Sequence, residues 1–115
     1  MPVFAFLYRP TRALDATELN DRTQRIRAWV LARREAGQVL SVSVFDKAGS
    51  VLSHEGDAGE PEVSPLAGCT LVSAADLPAA LALARDFPGR QFGTDIEVRP
   101  VVTFLPPPAQ AAQQA

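Results

Sequence analysis

A histidine, a carboxylate, a guanidinium and a phenol are the groups in this 115-residue chain that could move a proton or hold a polar ligand, and they fall in three places. His54 sits beside Glu55 and Asp57. It could act as a general base whose tautomer a neighbouring carboxylate holds; the competing reading of a lone histidine in a polar stretch is a solvated side chain. Glu97 and Arg99 are two residues apart in Ile96-Glu97-Val98-Arg99-Pro100, which puts both on one side of an extended strand. There a guanidinium can clamp a ligand carboxylate while Glu97 takes a proton. The alternative is a mutual ion pair of modest value at a surface or interface. Tyr8 offers a phenolic hydrogen bond to a ligand or, equally, aromatic packing between subunits. Phe4 and Phe6 share its side of the strand and would supply apolar contact to the same ligand. Cys69 lies within an apolar run and reads as a small buried hydrophobe rather than a nucleophile.

What is missing narrows the chemistry further. The chain has 11 Lys and Arg against 13 Asp and Glu, so no basic field exists to hold a phosphate backbone, and nucleic acid is not an expected partner. A single cysteine rules out an internal disulfide and a cysteine-based metal cluster. There is no metal-ligand spacing, no Gly-rich phosphate loop and no Ser-His-Asp order, so neither a metal nor a cofactor is expected. No charged leader with an apolar core and no long apolar window occurs, so the expectation is a cytoplasmic protein without a membrane partner.

The elements that must position these residues follow from periodicity and punctuation. The length suits one domain, expected over residues 1–105, with Pro106-Pro107-Pro108 and the Ala/Gln run of 106–115 as a disordered tail. Pro2 to Arg9 reads as a strand that is apolar on both sides, Val3, Ala5 and Leu7 on one and Phe4, Phe6 and Tyr8 on the other. Pro10 ends it. Asp15 with Glu18 three residues on predicts a capping box, and Gly37 a stop, so a helix runs to about Ala36 with Leu19, Ile26 and Val30 as its apolar stripe, Thr23 between them and Trp29 at its margin. Gln38 to Phe45 alternates as a strand, Asp46 to Gly49 reads as a turn, and Ser50 to His54 as a short return strand. The Gly- and Pro-containing run Glu55 to Pro65 predicts a loop. Gly68 to Ser73 is a strand, Asp76 caps a helix running to Phe87 with Pro78 in its first turn, and Thr94 to Phe104 is the last strand.

That order predicts an α+β fold of the ferredoxin-like, split βαβ type, an antiparallel sheet with two helices on one face. Two helices cannot cover the second face. If Ile96 and Val98 face the helices, Glu97 and Arg99 face away from them, and Phe4, Phe6 and Tyr8 are expected beside that pair. A second copy of the chain laid on this face would close a dimeric α+β barrel with a cavity between the sheets.

The stretch Gly68 to Arg85, then Pro88, then Ile96 to Pro100, resembles the C-terminal half of the YCII-related (DGPF-type) proteins, whose pattern there is a glycine-led strand, a helix, a proline and a strand ending in IEVRP. The N-terminal half is similar too, with a Phe-Leu-Tyr strand, an acidic helix start, Ala28-Trp29 within the helix and Ala36-Gly37 closing it. The resemblance spans residues 3–102 and implies a dimeric ferredoxin-like barrel with a pocket on the sheet face. A related branch includes dehydrochlorinase-type enzymes of aromatic breakdown with a proposed His-Asp pair. Two features depart from the pattern. Where Asp-Gly-Pro-Phe would fall the chain reads Glu55-Gly-Asp-Ala-Gly-Glu-Pro-Glu-Val-Ser-Pro-Leu66, and where the branch has an early-helix histidine it has Arg22 and Arg25. The pair therefore has no counterpart here. Three functions stand open: a homodimer binding a small, partly aromatic molecule; a lyase or dehydrochlorinase-like enzyme using His54, Glu97 or Tyr8 in proton transfer; and a structural dimer without a ligand.

Overall fold

A computed structural model describes residues 1–108. Strand β1 (Val3–Pro10) is followed by helix α1 (Ala16–Glu35), β2 (Val39–Val44), a small ribbon of β3 (Ala48–Gly49) and β4 (Glu62–Val63), then β5 (Gly68–Ser73), helix α2 (Leu77–Arg85), a 3-10 turn (Pro88–Phe92) and β6 (Thr94–Pro100). The four long strands form one sheet in the order β2-β5-β1-β6, every neighbour antiparallel. This is the α+β split arrangement expected, with β1 central and the last strand beside it. Of the expected 106–115 tail, residues 106–108 carry no regular secondary structure and 109–115 lie outside the described residues.

The punctuation acts as its chemistry requires. The Asp15 carboxylate accepts from the Glu18 amide at 2.8 Å while Glu18 accepts from the Asp15 amide at 3.4 Å, so two orphan N–H groups of α1 are satisfied reciprocally. At the other end Gly37 takes φ 78°, and the amides of Gly37 and Gln38 bond back to the carbonyls of Arg34 and Arg33. That left-handed turn favours glycine and lets the chain reverse into β2. Asp76 caps α2 by accepting from the Ala79 amide at 2.9 Å, and Pro78 sits in the first turn, where no intrahelical N–H is needed.

Three boundaries and one helix face differ from expectation. The return strand expected at Ser50 to His54 is replaced by a two-pair ribbon, Ala48 opposite Val63 and Gly49 opposite Glu62, with one further bridge from Leu52 to Ala58. Small residues and glycines there give little side-chain surface to hold a longer ladder. The last strand stops at Pro100, which has no N–H to donate, rather than Phe104. Helix α2 ends at Arg85, freeing Phe87 to turn inward. On α1 only Trp29 is fully buried, with Ile26 and Val30 packed against the core and Leu19 47% exposed, so the stripe centres a turn later than its spacing suggests.

The core lies between the sheet and both helices. Phe4, Phe6, Tyr8 and Val72 from the sheet meet Trp29 from α1 and Ala80, Leu83, Ala84 and Phe87 from the α2 region. Tyr8 stacks on Phe87 with centroids 4.6 Å apart, and Trp29 meets the same ring edge-on at 5.3 Å. Offset stacks and T-shaped pairs add about 0.5–1.5 kcal/mol each beyond the area buried. Here the sequence expectation is corrected. Phe4, Phe6 and Tyr8 lie under the chain's own helices and not on the helix-free face, because their rings are the complement of Trp29 and Phe87 and because Phe6 and Tyr8 sit directly opposite Val98 and Ile96, which pack on the same core.

Candidate functional site on the helix-free sheet face

The helix-free face is made by the alternate residues. Across the sheet, Leu7 stands opposite both Cys69 and Glu97, and Ala5 opposite Leu71 and Arg99; Val3 pairs with Ser73, and Ser41 and Ser43 extend the row on β2. Directly opposed residues share a face. Val3, Ala5, Leu7, Cys69 and Leu71 are only half-buried and lie outside the core cluster of the described residues, which makes a small apolar floor.

At its edge stands a charged group. Arg9 donates from Nη1 to Glu97 Oε1 at 2.7 Å, and Arg99 Nε lies 3.6 Å from Glu97 Oε2. The expected Glu97–Arg99 neighbourhood is therefore present, and a third member, Arg9, joins from β1 across 88 residues of sequence. Nothing local in the sequence marks Arg9 as part of the site. Its only signal is its position two residues beyond Leu7 on the same side of the strand. Both Glu97 oxygens face guanidinium groups, so this carboxylate is an oriented acceptor. Arg99 is held loosely, with 67% of its side chain exposed, and its donors remain open to an acidic group of a ligand.

The other residues singled out from the sequence lie elsewhere. Tyr8 donates its phenolic hydrogen to Thr70 Oγ1 at 2.9 Å inside the core, and burial pushes its pKa up to about 12. It keeps its proton at neutral pH and serves packing, not a ligand on the open face. Phe4 and Phe6, 4% and 0% exposed, are likewise withdrawn from that face. His54 stands on the segment between β3 and β4 with 89% of its side chain exposed; Nε2 is 3.3 Å from Glu55 Oε1, and among the described residues it shares no hydrogen bond or ion pair with Glu97, Arg99 or Tyr8. Cys69 is half-buried in the apolar floor, and desolvation raises its pKa, which keeps it a thiol at neutral pH and a weak nucleophile. Among the described residues no three His, Cys, Asp or Glu side chains come together as a metal site, and no helix is long and apolar enough to cross a membrane. No protein-family model matches the chain, and no curated protein is significantly similar to it.

Proposed function

We propose that the chain is a homodimeric binding module of the YCII-related kind its sequence resembles, two copies meeting through their helix-free sheet faces and holding a small, partly aromatic organic acid between them. The observation that carries this reading is the half-buried floor of Val3, Ala5, Leu7, Cys69 and Leu71, which lies outside the core cluster of the described residues, bordered by Arg9, Glu97 and Arg99. Apolar surface left on a sheet gains by burial at roughly 25 cal/mol per Å², and a twin sheet offers a self-complementary cover. The ligand's apolar body would rest on the floor and its acidic group on Arg99, with Glu97 oriented by Arg9 to accept a hydrogen bond. The proton-transfer alternative lacks support of this kind, since His54 has only Glu55 beside it and Glu97 is already engaged by two arginines.

Light scattering behind size exclusion tests the pairing. At micromolar concentration the native chain should run at twice its 12.3 kDa mass, and Leu7→Asp should run as a folded monomer; a native monomer would overturn the reading. For the ligand, 2-naphthoate should quench on the dimer and lose about tenfold in affinity with Arg99→Gln, the loss of one charge-assisted contact. Equal binding by the variant would remove the Arg99 assignment.

A further inference from the structure

On the opposite, helix-covered side of the sheet, the edge strand β6 and α2 leave a groove of about 450 Å³. Its lining includes Leu81 and Ala84 from the helix, Ile96 and Val98 from the strand, and the two arginines Arg85 and Arg90. The groove is open on its outer side, so it would hold a small ligand against its apolar wall rather than enclose it. We propose that this groove binds a small organic acid with an apolar body, independently of any ligand between paired sheets.

The charge arrangement points to that ligand. Arg85 comes from the last turn of α2 and Arg90 from the 3-10 turn, and Arg90 Nη1 donates to the Arg85 carbonyl at 2.9 Å, which holds its guanidinium folded back beside the groove. Neither arginine has a carboxylate partner among the described residues. The nearest in sequence, Asp86, is taken by Arg33 from α1. Both arginines also line a second hollow of about 310 Å³ beside Phe87, so they border two adjacent depressions. Guanidinium groups so placed recognise a carboxylate by charge-assisted, paired hydrogen bonds. Asp95 also borders the groove, but the register sets it directly opposite Arg9, on the helix-free face, so the groove's own charge is that of the two arginines, which suits a carboxylate. The apolar wall then fits a ring or short alkyl group.

Benzoate is the probe, titrated into the ¹⁵N-labelled protein with its amide shifts followed. Saturable shifts should concentrate at residues 81–98, neutral benzamide should bind at least about tenfold more weakly, and the Arg85→Gln/Arg90→Gln double variant should lose about the same factor while its thermal midpoint stays that of the native chain. Arg99→Gln should leave these shifts unchanged, which separates this groove from the sheet-face site. Benzamide binding as well as benzoate, full binding by the double variant, or an absence of saturable shifts at Leu81, Ala84, Arg85 and Arg90 would each overturn the assignment, whereas shifts at Val3 to Leu7 and Cys69 to Leu71 that Arg99→Gln removes would belong to the sheet-face site.

Discussion

The two sides of β1 are built from one short alternating run, yet they meet different fates. Phe4, Phe6 and Tyr8 are closed over by Trp29 and Phe87, whereas Val3, Ala5 and Leu7, one residue out of phase, are left half-buried on a face that neither helix packs against. Both sides are apolar, so hydrophobicity does not separate them. Shape does. The rings fill the deep space between sheet and helices, while the smaller aliphatic row presents a flat surface suited to another flat surface.

The largest effect that tests this contrast is a charge placed on each side in turn. Phe6→Asp puts a carboxylate at a site of 0% exposure and should cost more than about 4 kcal/mol, a large share of the roughly 5–15 typical of a domain. Its circular-dichroism melt should lose the cooperative transition, while Leu7→Asp should keep a cooperative one, lowered by the loss of subunit association. A folded Phe6→Asp protein beside an unfolded Leu7→Asp would reverse the contrast.

Next in size is the buried hydroxyl pair. Tyr8→Phe leaves the Thr70 hydroxyl, 1% exposed, without its partner and should cost about 1–2 kcal/mol by urea titration without changing the oligomeric state. Tyr8 is the chain's one tyrosine, so absorbance at alkaline pH reports it alone. Its folded pKa of about 12 lies above the model-compound value of 10.0, because burial disfavours phenolate. The stabilisation tied to the neutral phenol is thus complete below pH 10 and lost as pH rises towards 12. Phenolate forming near pH 10 in the folded protein would show that the ring is wet and the inner face open.

The smallest effect belongs to the outer face. Arg9 and Glu97 are each 40% exposed, so Arg9→Ala should change stability by less than about 1 kcal/mol. Its consequence should appear in ligand affinity, through a Glu97 no longer oriented.

Much of the architecture was legible because it rests on local chemistry. The Asp15–Glu18 box, the Gly37 reversal, the Asp76 cap and the strand break at Pro10 need only a few neighbouring residues to act. Even the placement of Glu97 and Arg99 away from the helices follows from Ile96 and Val98 being the more apolar pair. The ribbon of β3 and β4 was not legible, since it joins residues fourteen or so apart through only two opposed pairs. The link from Arg9 to Glu97 depends on register, and no residue near either reveals it.

The amino-acid order by itself determined which main elements form and in what order, which residues within a strand share a side, and that one face of the sheet must lack helical cover. Only the tertiary structure decided which side of β1 that is. A period of two relates alternate residues to one another but leaves the sign open, and a one-residue shift exchanges every side chain between faces. With both sides apolar, the sign was set by the fit of Tyr8 against Phe87 and by the register that places Tyr8 and Phe6 opposite Ile96 and Val98, contacts between segments some 80 to 90 residues apart.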